Sequence, residues 1–378
     1  MYLVERIIGV AVYVLLLGAV CLFISRARGV GDRRRAVVLY AIVLCVMAFV
    51  YVPPKTADLS RITEYMHAWS RLNPIDAVRF ALTKTSPAGV LYVYVIGLFG
   101  VDGLLPAITS AISFYCIFRI YIDSCERYSL TGREAAAVLA LLMSGGAFAF
   151  LISNIRCYLA FSLFALCVGH CAPRSKVLRA AILIVAATMH AACAVTVLAW
   201  VIYAAARTGA FSGPRAVLPL SLLAIGAVMY YRGVPLVKRP VSHAIRYITS
   251  GGGYSDIWEY LISALLLAGL TIILFSYRGR TCDDPSALLS RLSVVLTLAF
   301  AFVYAIFTRF TYLTLLISVP TVCAVTAQSR ETSYALPSGE TQIHRRLDTV
   351  SLLCLLSAAL LMLSAGCGNL SGYKFFTL

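Results

Sequence analysis

Apolar runs of about 20 residues recur along this chain, the length an α-helix needs to cross the hydrocarbon core of a bilayer. Ala36 to Val52 is apolar on every face, whereas a strand of a membrane barrel alternates. With 61% hydrophobic and only 13% charged residues, the sequence predicts an all-α polytopic membrane protein of about 10–12 transmembrane helices. Residues 1–378 form a single integral membrane domain, without soluble domain, long linker or internal repeat. The net charge of +16 sits in short loops between spans, so topology and anionic membrane lipids account for it, and nucleic acid is not an expected partner.

Loop charge orients the spans. Arg26, Arg28, Arg33, Arg34 and Arg35 follow a first span over roughly Leu3 to Ile24, which puts the N-terminus outside. External loops then cover about 53–87 and 232–255. Counting every apolar run as a full span leaves more Lys and Arg outside than inside, against the usual bias. The bias is restored if Val90 to Phe99 is only half-inserted and Ala180 to Tyr203 is a re-entrant pair broken near His190. Re-entrant backbone is tolerated only where protein or a water-filled cavity surrounds it, so this topology implies a site there. The next spans run from Ala216 to Tyr230, Ile257 to Phe275 and Leu292 to Phe307, the last of these ending at Thr308 and Arg309; the following one closes at Pro320, and a final one covers about Val350 to Ser364.

The candidate site residues are the polar groups this topology brings to the outer half. Arg156 opens a span just after Asn154, and His190 lies inside the next apolar run; neither suits a lipid-facing position. Asp58, Arg61 and Tyr65 are spaced to share one helical face. Arg246 and Tyr247 belong to an outer loop whose cations run against the topology bias, and Arg309 precedes Tyr312 by one turn. Acidic residues are confined to loops and span ends, which disfavours ion-coupled transport. The twelve cysteines form no CxxC pair and read as packing thiols, neither metal site nor disulfide framework. Arginine forks match phosphate oxygens, so the cluster suits a lipid-linked diphosphate and its departure in glycosyl transfer. No P-loop, G-x-S-x-G or HExxH is present, which leaves ATP use and hydrolase chemistry without support.

Four segments carry a family resemblance: VPPKTADLSRITEYM, SNIRCYLAFSL, MHAACAV and TRFTYLTLLISVP. Each is short, and the specificity lies in their order and membrane setting. On them the chain resembles the EpsG family of bacterial membrane proteins, related to the Wzy-type polysaccharide polymerases. It departs at Ile62, where many relatives have an Arg-Tyr pair. The resemblance implies a multi-span glycosyltransferase-like fold in the bacterial cytoplasmic membrane, working without cofactor, metal or nucleotide sugar. Its substrates would be undecaprenyl-diphosphate-linked oligosaccharides joined at the outer face, with a flippase and a chain-length regulator as partners. Arg156, Arg246 and Arg309 would hold diphosphate, supported by Arg61, Tyr65, Asn154, Tyr247 and Tyr312. His190 or Asp58 would accept the acceptor hydroxyl's proton. The alternatives are a polysaccharide ligase or acyltransferase, and a non-enzymatic lipid-glycan flippase or export component.

Overall fold

The computed structural model describes residues 2–27, 29–53, 58–144, 151–152, 154–169, 171–207, 242, 245, 257–276 and 285–334. Among them all regular structure is helical, with no strand. The described helices, labelled in chain order, are α1 (Tyr2–Arg26), α2 (Val30–Phe49), α3 (Asp58–Trp69), α4 (Pro74–Leu82), α5 (Pro87–Gly97), α6 (Leu104–Arg127), α7 (Gly132–Ser144), α8 (Ile155–Val168), α9 (Lys176–Met189), α10 (Ala191–Arg207), α11 (Ile257–Ser276), α12 (Pro285–Ala299) and α13 (Tyr304–Tyr334). Among the described residues, two stretches, Leu104–Arg127 and Ile306–Ala327, are long and apolar enough to cross a membrane. The span expected over Ala216 to Tyr230, the one over Val350 to Ser364, and Arg246 and Tyr247 lie outside the described residues.

The helices pack with their surfaces apolar both inward and outward. On α2, Tyr40, Leu44 and Met47 are buried, while Val38, Leu39, Ile42 and Val46 are each more than half exposed. The exposed stripe is a contiguous apolar surface of the kind that contacts lipid or a partner. Between α12 and α13 the contact is instead a ladder of hydroxyls. Ser293 Oγ lies 2.7 Å from Thr314 Oγ1, Thr297 Oγ1 2.8 Å from the same atom, and Ser290 Oγ 3.1 Å from Thr321 Oγ1. Such side-chain bonds hold helices together where apolar burial gives little driving force.

Cross-helix contacts sort the helix termini into two ends. At one, Arg33 Nη1 donates to the Leu130 carbonyl (2.8 Å), Arg34 pairs with Glu126 (2.6 Å), and the Arg119–Asp123 pair (3.0 Å) approaches the loop holding Cys171. At the other, His67 on α3 pairs with Asp102 ahead of α6 at 2.9 Å. From the first end α9 runs up to Met189, and α10 starts at Ala191 and turns back beside it, so that the Arg179 guanidinium lies 5.3 Å from the Trp200 ring centre. The expected break therefore falls at His190, whose backbone is extended (φ −152°, ψ 136°). The 11 residues of α5 reach only about 16 Å, about half the thickness of a bilayer core.

Three boundaries differ from the sequence expectation. The polar segment 53–87 contains two helices, α3 and α4, whose apolar faces (Leu59, Ile62 and Met66; Ala77 and Ala81) are buried. The turn after α12 falls at Phe300–Val303, so Thr308 and Arg309 lie early in α13 and do not end the preceding helix. Helix α13 also runs through Pro320. A proline there leaves a carbonyl one turn back without its N–H donor, and polar groups gather nearby, with Ser290 Oγ 3.4 Å from the Ile317 carbonyl.

Candidate functional site

The site is built where α3, α5, α8, α13 and the α9–α10 break meet. Asp58 begins α3 and pairs with Arg61 one turn on, an acid at the helix start where the macrodipole favours it. Leu59, Ile62 and Met66 turn into the core, leaving Asp58, Arg61 and Tyr65 on another face. Tyr65 stacks on Trp69 with ring centres 5.3 Å apart, and Trp69 meets Phe80 of α4 at 5.6 Å. Ile62, the departure from the family pattern, is 1% exposed. Its position holds α3 down on the bundle, and a charged side chain there would be buried.

Helix α5 locks this wall to the next. Pro87 opens it, and its fixed φ suits a first turn. A Cβ on Gly97 would lie 2.8 Å from Met66 Cγ and 3.0 Å from the Met66 carbonyl oxygen, so α3 lies directly against α5. At the other end, a Cβ on Gly89 would lie 2.6 Å from the Met189 carbonyl oxygen and 3.1 Å from Arg156 Cδ. One glycine thus sets the distance between α5, the helix break at His190 and Arg156. Sequence reasoning missed it; the visible signal was a small residue just inside a Pro-initiated short helix.

Arg156 is the second residue of α8 and is half-buried, and its Nε is buried without a hydrogen-bond partner. Asp58, Arg61, Cys157 and Tyr65 are close enough to act on its charge. Cys157 is in turn within range of Arg309, Arg156 and Asp58, which places both arginines and the carboxylate around the start of α8. Asn154 stands at the N-cap of α8 but makes no side-chain cap bond. Its Oδ1 instead accepts from Arg309 Nη2 at 3.1 Å, so a residue that would ordinarily close the helix start orients a cation. Behind it, Tyr158 and Tyr312 pack with ring centres 4.4 Å apart. At His190, Nδ1 accepts from the Ala192 N–H at 3.2 Å. The neutral imidazole then carries its proton on Nε2 and acts as a donor there.

Asp58, Arg61 and Tyr65 thus lie within range of Arg156, and Asn154 holds Arg309 at the same helix start, while Tyr312 packs in the core against Tyr158 and the backbone just before His190 approaches Gly89. The arrangement gathers arginines and one carboxylate around a helix start that has no side-chain cap. Helix starts and arginine forks both favour anions with several oxygens. The described residues contain no group of three or more His, Cys, Asp or Glu suited to a metal. Comparisons with family models, curated proteins and solved structures returned no match.

Proposed function

We propose that this chain is a bacterial polysaccharide polymerase of the EpsG or Wzy-like kind, a multi-pass protein of the cytoplasmic membrane. It joins undecaprenyl-diphosphate-linked oligosaccharide units at the outer face. The supporting observation is the convergence of Arg156, with its unpartnered buried Nε, and the Asn154-oriented Arg309 on the start of α8 beside Asp58. The exposed apolar face of α2 and the hydroxyl ladder of α12 and α13 favour lipid surroundings.

In the proposed reaction the acceptor hydroxyl oxygen attacks the anomeric carbon of the donor sugar. The bond from that carbon to the diphosphate oxygen breaks, and the diphosphate leaves with the electron pair. Arg156 and Arg309 stabilise the charge that develops on it, in surroundings where water screens little. The hydroxyl proton passes to Asp58, one oxygen of which is held by Arg61. His190 donates from Nε2 to a substrate oxygen, since its Nδ1 is committed to Ala192.

Purified protein in vesicles, given short oligosaccharides linked to undecaprenyl diphosphate, should yield products of two or more units without nucleotide sugar. Only unextended substrate, or extension that needs a nucleotide sugar, contradicts the assignment. Topology has its own check. The exposed Ser175, at the N-cap of α9, should as cysteine react with an impermeant maleimide only from the cytoplasm, and Asn73→Cys only from outside.

A further inference from the structure

We propose that the far side of α3 is a second subsite, one that binds a neutral, hydroxyl-rich saccharide. The inference rests on the glycan-handling function above but uses other residues. A cavity of about 370 Å³ lies between α3, the chain after α2 and the start of α6, within the range of small-ligand sites. Ser60, Thr63, Glu64 and His67 line it from α3, with Asp102 and the buried Tyr51 opposite.

The chemistry of the lining selects the ligand. His67 Nε2 and Asp102 Oδ1 are 2.9 Å apart, so the imidazole is fixed across two elements and keeps Nδ1 for a ligand. Thr63 Oγ1 donates to the Leu59 carbonyl at 3.0 Å, which leaves its lone pairs to accept. Carboxylates, hydroxyl lone pairs and an imidazole nitrogen are acceptors, and together they suit a ligand that brings several hydrogen-bond donors, as sugar hydroxyls do. The buried Tyr51, with Pro53 and Pro106, offers apolar wall to a sugar ring's C–H faces. Glu64 and Asp102 repel phosphate, whereas the arginines lie toward the Asp58 side of α3. Helix α3 therefore separates a diphosphate site from a saccharide site, one amphipathic helix serving both with different faces.

Saturation-transfer NMR on the purified full chain, with lactose, maltose, cellobiose and N,N′-diacetylchitobiose tested singly, reads this directly. At least one disaccharide should receive saturation from the wild type, and sodium pyrophosphate should not displace it. Glu64→Gln, at an exposed position, and Asp102→Asn should each weaken that binding by roughly ten-fold, with thermal unfolding unchanged for Glu64→Gln. No transfer from any of the four, wild-type binding in both variants, or displacement by pyrophosphate overturns the proposal. Binding is read without turnover. Disaccharide binding without polymer formation would therefore reject the polymerase and retain the site, and polymer formation without binding would do the reverse.

Discussion

Arg156→Lys should slow polymer formation by about ten- to over a hundred-fold at unchanged protein level, and Arg156→Ala by at least as much. A charge-assisted hydrogen bond is worth roughly 1.5–3 kcal/mol, which gives that range if the contact tightens as the diphosphate leaves. Lysine keeps the charge but loses the planar fork, and with it bidentate contact to two phosphate oxygens. The half-buried setting of Arg156, and an Nε with no partner, argue against a side chain that merely reaches for the interface. An interfacial anchor would tolerate lysine, which snorkels equally well. Polymer length and amount in membranes of matched protein abundance distinguish the two, and full-length polymer from the lysine variant would favour the anchor.

Gly89→Ala should cost nearly as much activity without touching any charge. In a helix alanine is preferred over glycine by about 0.8–1 kcal/mol. Here that gain is outweighed, because the new methyl would meet a backbone carbonyl, the Met189 oxygen, at 2.6 Å and Arg156 Cδ at 3.1 Å. Overpacking of this kind costs about 1–3 kcal/mol, and it acts where α5 fixes both the His190 break and Arg156. Gly18 on α1 is the control, since a Cβ there would meet nothing within 4 Å; Gly18→Ala should be neutral or slightly stabilising. Activity and thermal unfolding of the two alanine variants side by side check this, and equal behaviour would remove Gly89 from the site.

The break at His190 was legible in the sequence because an imidazole inside an apolar run is costly to bury in a continuous span. The shared face of Asp58, Arg61 and Tyr65 was legible because helical spacing alone defines it. The turn before α13 was hidden, since Phe300 to Val303 contains neither Gly nor Pro and continues the apolar composition on both sides. Pro320 misled for the opposite reason. A proline reads as a stop, yet a membrane-type helix keeps going where neighbouring hydroxyls line it, as Ser290 and Thr321 do. The role of Gly89 could not be read, because a close approach between α5 and the end of α9 depends on residues about a hundred positions apart. The hydrogen bond from Arg309 to Asn154 is likewise long-range; each residue was visible as polar, but not the pairing that turns one toward the other.

The most direct test of the central claim is the state of the lipid carrier when the gene is deleted from the producing cell. Undecaprenyl diphosphate bearing single repeat units should accumulate at the outer face of the cytoplasmic membrane, accessible to an impermeant sugar-modifying reagent in intact cells. Single units trapped at the inner face would mean a flippase, and undiminished long polymer would mean that another protein joins the units; either result contradicts the account.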